Sequence, residues 1–437
     1  MNTRRSSFAS TIVLALAAYP NVIRRMVTGK LFTATLASAL VTLVVLPLPL
    51  SAQTQTLVLK PSSTVIGVGG VGYMLAVYDA DGPSGPQLEQ YLDPSALAWS
   101  SNSKTVAAVD VLGTVSGLKK GAAIITAKYR KKNLTATAQV QVAGTVVSFD
   151  VDTPDERTRS YLLFIPESYK QNTPTPLVLT FHGGGGDPDY VVNNTQMNVT
   201  ANQKGFLAAY PHGTGFFEKM GTWNAGICCG FAMINKVDDV GFTSAVIADI
   251  KAKYTVDSAK IYATGMSNGA MMVHRLACEL SDQIAAIGPV AGGINVGGDF
   301  SVCLPTRPVS VIEFHGTTDD TYPYSGGLGV DGVSLYPITQ TIADWVNRNG
   351  IDSRTGSTTY QAGIERCETY SSTLAEVRLC TAQPPTKIKV NGVIYDGGGH
   401  AWPGGVKGRH SEADVPTTDI SASAVMWEFF NLHPKQP

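Results

Sequence analysis

Two patterns of hydrophobic and polar positions divide the chain. Over residues 53–143, short runs of alternating apolar and polar side chains are separated by Gly, Ser, Asp or Lys-Lys turns, a pattern typical of strands. The predicted strands are residues 57–59, 71–77, 105–111, 114–118, 122–129 and 134–142. Several short strands at regular spacing indicate a small all-β sandwich of about 90 residues.

After Gly144 the pattern changes, and strands alternate with helices. Residues 239–254, for example, carry Val246, Ile247 and Ile250 on one helical face. Strands are predicted at 146–151, 161–165, 176–181, 206–210, 260–264, 309–314 and as a pair within 387–395, and helices at 239–254, 270–280, 339–349 and 421–432. This alternation predicts an α/β domain over residues 145–437, with a mostly parallel sheet and helices on both faces.

The first 52 residues have the pattern of an export signal. They hold five basic residues and no Asp or Glu, and Lys30 precedes a long apolar run over residues 31–50. Small residues then lead to Ala52, so we predict a signal peptide over 1–52 and a secreted protein, extracellular or periplasmic, with Met26 as a candidate start. The alternative is an uncleaved membrane anchor, because residues 31–50 are long enough to span a bilayer.

Composition excludes some classes of protein and partner. The chain has 437 residues, of which 44% are hydrophobic and 15% charged, which excludes a disordered protein. Without the first 52 residues, 28 basic residues face 34 acidic ones, a net charge of −6. A mildly acidic body argues against nucleic acid or an anionic membrane as the main partner.

All six cysteines follow residue 220, and an even number in an exported chain favours disulfides. We predict Cys278–Cys303 and Cys367–Cys380 from their proximity in sequence. For the adjacent Cys228 and Cys229, a strained bridge to each other, pairing elsewhere and the reduced state all stay open. The Cys and His spacing does not favour zinc, and we expect no metal and no organic cofactor.

The strongest chemical signal is Gly265-Met266-Ser267-Asn268-Gly269, which stands between a predicted strand and a predicted helix. This is the G-x-S-x-G pattern in the strand–turn–helix context that presents a nucleophilic serine at the N-terminus of a helix. We therefore expect Ser267 to be a nucleophile.

A serine nucleophile needs a base and an orienting carboxylate, which follow it in this fold in the order acid, then histidine. His400, in the glycine-rich segment 397–404, is the expected base, and His410 is the alternative. Asp319 is the expected acid, with its neighbour Asp320 as the alternative, because both follow the strand predicted at 309–314.

An acyl-transfer site also needs backbone N–H groups that stabilise an oxyanion. The glycine run 183–186 follows a predicted strand, and glycine permits close approach of the substrate. We expect the amides of Gly184 and Asn268 to donate, with Gly183 or Gly185 as alternatives to Gly184. The run lacks the spacing of a phosphate-binding loop.

These segments resemble two known families. Residues 53–143 resemble a bacterial immunoglobulin-like group 2 domain, on Trp99-Ser100-Ser101 and residues 106–110, 113–117 and 121–127. Such domains imply a stalk or an adhesive contact with polysaccharide or another surface, and we favour the inert stalk. Residues 145–437 resemble the secreted polyhydroxybutyrate depolymerase-like esterases, which include feruloyl and acetylxylan esterases; the matching segments are 182–186, 222–226, 228–230, 237–242, 262–272, 315–319 and 398–404.

The esterase resemblance implies an α/β-hydrolase fold, a triad of Ser267, Asp319 and His400, and oxyanion amides at Gly184 and Asn268. Two departures from the family pattern, at Ile227 and at Thr321-Tyr322, touch the rim of the pocket and leave the substrate open. Trp223 and Trp402 are the candidate substrate-binding residues, as an aromatic wall or, equally, as core aromatics; Phe216 and Phe217 are weaker candidates.

The expected function is that of a secreted serine esterase that cleaves hydroxycinnamoyl or acetyl esters of plant cell-wall polysaccharide, feruloyl esters first. No membrane contact is expected after signal cleavage. The alternatives are an extracellular depolymerase of polyhydroxybutyrate or another polyester, a surface-binding protein with a degenerate esterase domain, and a secreted serine peptidase.

Overall fold

The computed structural model describes residues 55–436 except for 82–87, 218–219, 227, 295–302, 330–331 and 409–412. The predicted signal peptide, Ile227 and the alternative base His410 therefore lie outside the described residues. Every described residue belongs to one compact unit, Gln53–Pro437. Within this described part, no helix combines the length and the apolar character needed to cross a membrane.

The described residues between 55 and 152 are mostly β-strands, with two short 3-10 helices at Pro94–Ala96 and Arg130–Lys132. The strands are β1 (Thr56–Lys60), β2 (Ser63–Val68), β3 (Val71–Tyr73), β4 (Leu75–Asp79), β5 (Gln90–Tyr91), β6 (Leu97–Ser101), β7 (Ala107–Val109), β8 (Thr114–Gly117), β9 (Gly121–Tyr129) and β10 (Leu134–Asp152). They enclose a core of their own, to which Leu59, Ile66, Ile125 and Val140 contribute.

From β10 onward strands and helices are mixed. The strands are β11 (Thr158–Ile165), β12 (Thr175–Phe181), β13 (Leu207–Pro211), β14 (Val256–Met266), β15 (Ala286–Val290), β16 (Ser310–Gly316), β17 (Gly327–Leu328), β18 (Ser334–Leu335), β19 (Ser357–Ala362), β20 (Glu365–Ser371), β21 (Glu376–Ala382), β22 (Lys389–Val390) and β23 (Val393–Ile394). The helices are α1 (Pro188–Thr195), α2 (Met197–Lys204), α3 (Gly230–Ile234), α4 (Asp239–Lys253), α5 (Asn268–Glu279), α6 (Ile338–Arg348) and α7 (Ala422–Leu432).

One 13-stranded sheet runs through the described chain in the order β19-β20-β21-β16-β15-β14-β12-β13-β11-β10-β9-β6, with β2 beside β10. The strands from β13 to β21 in this order pair in parallel, as an α/β domain requires. The prediction of a mostly parallel sheet is nevertheless wrong, because the strands at both ends pair antiparallel. Short turns join several of these end strands, and a turn without a crossover helix can only return the chain antiparallel.

Helices cover both faces of the parallel strands. Leu177, Leu179 and Phe181 of β12 pack in one core with residues of α4, α5 and α6. Val178 faces the opposite core, which contains residues of α1, α2 and α7. Successive strand side chains point to opposite faces, so one apolar run supplies both cores.

The disulfides agree with the two local predictions. Cys278 bonds to Cys303, and Cys367 bonds to Cys380 across the pair β20–β21. Cys228 and Cys229, which the sequence left open, bond to each other.

Candidate active site

Ser267 lies at the sharp turn between β14 and α5. Its backbone has φ 58° and ψ −122°, a conformation that is sterically costly for a residue with a Cβ. Its N–H donates to the Val290 carbonyl over 2.9 Å. A Cβ at Gly265 would lie 2.6 Å from the Gly269 carbonyl oxygen, and one at Gly269 would lie 2.5 Å from the carbonyl oxygens of Phe181 and His182. The turn therefore needs glycine on both sides of the serine.

His400 and Asp319 meet although they are 81 residues apart in sequence. His400 Nδ1 lies 2.8 Å from Asp319 Oδ2. A carboxylate only accepts, so Nδ1 carries a proton, and in the neutral ring Nε2 is then the nitrogen with the free lone pair. Asp414 anchors the backbone of this loop, since its Oδ2 accepts the His400 N–H over 2.7 Å.

Asp319 is buried yet is held as a carboxylate. Its Oδ1 accepts the N–H groups of Thr321 and Tyr322, each over 2.8 Å. Burial by itself would raise the pKa of Asp319, but the charge and hydrogen bond of His400, followed by the charge of His315, lower it below its ordinary value. Asp319 is thus an anionic partner for the imidazole.

The alternative acid Asp320 and two histidines that follow Ser267 in the chain lie elsewhere. Asp320 is half exposed and pairs with Lys387 and Lys389. His274 is buried in α5, and His433 hydrogen-bonds the Phe429 carbonyl at the end of α7. Asp319, not Asp320, is the carboxylate that reaches His400.

Ser267 and His400 line the same cavity, of about 750 Å³. Gly184 and Asn268 line it too, and a Cβ at Gly184 would lie 3.7 Å from Asn268 Cβ, so the two backbones are neighbours. The Gly185 N–H is already donated to the Gly221 carbonyl over 2.8 Å, which weakens Gly185 as an alternative donor. This arrangement fits acyl transfer by a serine nucleophile beside preplaced amides.

The expected aromatic wall needs correction. Trp223 is fully buried and donates from Nε1 to the His182 carbonyl, and Trp402, 1% exposed, donates from Nε1 to Ser423 Oγ. Neither indole lines the cavity, so both are core aromatics. Among the described residues, the aromatic residues that line the cavity are Phe216, Phe217, Phe231 and Tyr322.

Two polar residues next to the site have structural roles that sequence reasoning missed. His182 accepts the Gly213 N–H at Nε2 and faces the Gly183 carbonyl through Nδ1, and burial lowers its pKa to about 3, so it stays neutral. The Asn268 side chain accepts the Trp223 N–H over 2.7 Å and donates to the Trp223 carbonyl over 3.0 Å. Both residues lie inside segments that match the esterase family, and this match was the only indication in the sequence that they have a role.

Among the residues that the structure describes, no group of three or more His, Cys, Asp and Glu side chains is arranged to hold a metal ion.

Comparison with known proteins points to esterases. The family model described as "Esterase PHB depolymerase" matches residues 159–306, a stretch that contains Gly184, Ser267 and Asn268 and ends before Asp319. Feruloyl esterase B of Piromyces equi is 31% identical over 255 residues, which cover 56% of this chain and 42% of that protein. A probable feruloyl esterase C of Aspergillus niger is 26% identical over 272 residues, covering 62% of this chain and 83% of that protein.

The aligned regions cover different shares of the related proteins. The chain spans less than half the length of feruloyl esterase B and of the bifunctional acetylxylan esterase/xylanase XynS20E of Neocallimastix patriciarum, to which it is 32% identical. Among solved structures, an acetyl xylan esterase from Aspergillus awamori aligns with a TM-score of 0.41 and 17% identity, over 65% of this chain and 99% of that one.

Proposed function

We propose that this chain is a secreted serine esterase that cleaves hydroxycinnamoyl or acetyl esters of plant cell-wall polysaccharide, feruloyl esters first. The observation that carries the proposal is that His400, hydrogen-bonded to Asp319, lines the same cavity as the strained Ser267. The names of the curated relatives support the substrate class.

In the proposed reaction, Ser267 Oγ attacks the ester carbonyl while His400 Nε2 takes its proton. The N–H groups of Gly184 and Asn268 stabilise the negative oxygen of the tetrahedral intermediate. His400 returns the proton to the departing alcohol, which leaves an acyl group on Ser267. A water molecule, deprotonated by His400, then releases the carboxylic acid, and Asp319 stabilises the imidazolium in both halves.

The cavity walls favour an aromatic acyl group. The volume of the cavity, about 750 Å³, lies within the range of small-molecule sites. Apolar side chains dominate the wall beyond the polar groups at Ser267: Phe216, Phe217, Met220, Phe231, Met233, Met271, Val333 and Leu335. Flat aromatic rings and adaptable methionines suit a planar hydroxycinnamoyl group.

The proposed enzyme is secreted and has two domains. The export pattern of residues 1–52 supports secretion. The all-β structure of residues 55–143 is compatible with an immunoglobulin-like domain at 53–143 that acts as a spacer or contacts polysaccharide. The catalytic domain then comprises residues 145–437.

Hydrolysis of methyl ferulate by the purified protein tests the proposal. We expect ferulate release by the native enzyme and by Ser357→Ala, a control at an exposed serine, and none by Ser267→Ala. Retained turnover in a folded Ser267→Ala variant would contradict the mechanism.

A panel of esters separates the substrate classes. Cleavage of an acetyl ester without cleavage of methyl ferulate would move the substrate to acetylated sugars. Clearing of a polyhydroxybutyrate film would favour the polyester alternative, which the description of the matched family model makes the second candidate.

A further inference from the structure

A row of buried ionisable side chains continues behind Asp319, outside the cavity lining. His315 Nε2 lies 3.5 Å from Asp319 Oδ2, and His315 Nδ1 lies 3.7 Å from Glu313 Oε1. Glu313 Oε2 in turn lies 3.3 Å from His274 Nε2. All four side chains are at most 1% exposed. The row links β16, which leads to the acid, with α5, which begins next to the nucleophile.

Hydrogen bonds to groups of fixed polarity assign two of the ring protons. Trp345 Nε1 can only donate, and it lies 3.0 Å from His274 Nδ1, so the His274 proton is on Nε2, facing Glu313. The Tyr322 carbonyl can only accept, and it lies 2.8 Å from His315 Nε2, which therefore carries a proton.

His315 is positively charged if Nδ1 carries a proton as well as Nε2. That nitrogen faces Glu313 Oε1, and a buried carboxylate is costly unless a positive group faces it. Asp319 adds a second carboxylate on the other side of the ring. Burial by itself would lower the pKa of His315, but the nearby carboxylates of Glu313 and Asp319 raise it above its ordinary value.

We propose that His315 is a positioning residue: an imidazolium, anchored by Glu313, that keeps Asp319 ionised and aimed at His400. This inference rests on the proposed function and deepens it. Among the described residues, four ionisable side chains face the His315 ring. Two are the carboxylates of Glu313 and Asp319. The other two are the phenols of Tyr322 and Tyr324, whose ring centroids lie 5.5 and 6.0 Å from that of His315. His274 faces Glu313, and Asp414 accepts the backbone N–H of His400.

The direct test reads the ring protons of the intact protein and does not depend on turnover. Histidine labelled with ¹⁵N in the ring distinguishes an imidazolium from a neutral ring by its nitrogen shifts, and the His315 signal is assigned by its loss in His315→Gln. We expect both His315 nitrogens to be protonated at pH 7. In Glu313→Gln the ring should lose its second proton at lower pH. If His315→Gln does not fold, the His315 ring signal is assigned in the native protein by correlation with its own backbone amide. A neutral His315 at pH 7 in the native protein would overturn the proposal.

The kinetic test is the pH profile of ester hydrolysis. In His315→Gln we expect kcat at pH 8 to fall about tenfold with KM within about twofold, because the side chain lies outside the cavity. The acidic limb of kcat/KM should move to higher pH by about one unit, because the loss of a positive charge near Asp319 favours protonation of its neighbours.

His433→Gln is the matched control, since His433 Nε2 lies 3.6 Å from Glu376, outside this row, and we expect its profile to be unchanged. A His315→Gln variant that is less stable to urea but keeps the native acidic limb would show a merely structural role and overturn the proposal. The outcome for the proposed function is separate: that function fails if Ser267→Ala keeps its turnover, whereas this inference fails on the state of the His315 ring.

Discussion

Arg159→Met should be among the most destabilising single substitutions outside the cavity. Arg159 Nη1 donates to Asp239 Oδ1 over 2.6 Å, and both side chains are at least 96% buried. Asp239 Oδ2 also accepts the Asn224 N–H over 2.7 Å, and the guanidinium lies 3.7 Å from the centroid of the Phe242 ring. The pair thus joins β11 to the start of α4 and to the loop before α3.

The size of the effect follows from the burial. Burial raises the pKa of Asp239 and lowers that of Arg159, in spite of their mutual attraction, so each ion depends on the other. Removal of one partner leaves an uncompensated buried charge, and we expect a loss of about 3–5 kcal/mol in the free energy of unfolding. Methionine keeps the apolar stem, so the loss measures the charge and its hydrogen bonds rather than a large cavity.

Equilibrium urea unfolding followed by tryptophan fluorescence and by circular dichroism provides the assay, and agreement of the two signals checks two-state behaviour. The control is Arg157→Met, because Arg157 pairs with Asp155 on the surface and its side chain is 41% exposed. We expect that variant to lose less than about 1 kcal/mol. Equal losses in the two variants would refute the reasoning.

Three further predictions use other parts of the molecule. Asp319→Asn should lower kcat by about 10⁴-fold, whereas Asp320→Asn, which removes only surface pairs, should stay within about twofold of the native enzyme in the same ester assay. Gly269→Ala should yield no soluble folded enzyme, because the new Cβ would meet backbone oxygens at 2.5 Å, whereas Gly184→Ala, with 3.7 Å available, should fold normally by circular dichroism. Burial, with the charge of a nearby carboxylate, raises the pKa of Glu365 from 4.5 to about 7. Between these values the folded state holds a proton that the unfolded chain releases, so the free energy of unfolding should fall as pH rises from about 4.5 to 7. Glu365→Gln should flatten that slope in urea unfolding measured at pH 5 and pH 8.

The residues that gather at the cavity were predictable because their contexts are local. A strand, a G-x-S-x-G turn and a helix fix the conformation at Ser267 within a few residues. The acid and the base follow from chain order, and the structure brings Asp319 and His400 to 2.8 Å. No similar rule decides which way an aromatic side chain faces, so Trp223 was a candidate for the wall and is instead buried against His182.

Elements whose buried positions are polar escaped prediction. Helices α1 and α2 bury Asn193, Asn194 and Asn198, each hydrogen-bonded to another part of the chain, so neither helix shows an apolar stripe. Strand β15 is fully buried but contains glycine and Pro289, residues that interrupt a strand pattern. The hydrogen-bond partners of Asn193 and Asn194 lie 120 and 212 residues away in sequence, and periodicity reports only what is near.

The change of pattern at Gly144, where we predict a domain boundary, falls within one strand. Strand β10 continues through it: residues 134–142 pair with β9, residues 139–145 also pair with β2, and residues 145–152 pair with β11. Gly144 itself has φ 69°, and a Cβ there would lie 2.4 Å from the Ile165 carbonyl oxygen. The glycine therefore lets one strand change neighbours without ending. A change of neighbouring strands alters which side chains are buried, and so it alters the sequence pattern. A linker between domains alters the pattern in the same way. Only the pairing register distinguishes a strand that changes neighbours from a linker.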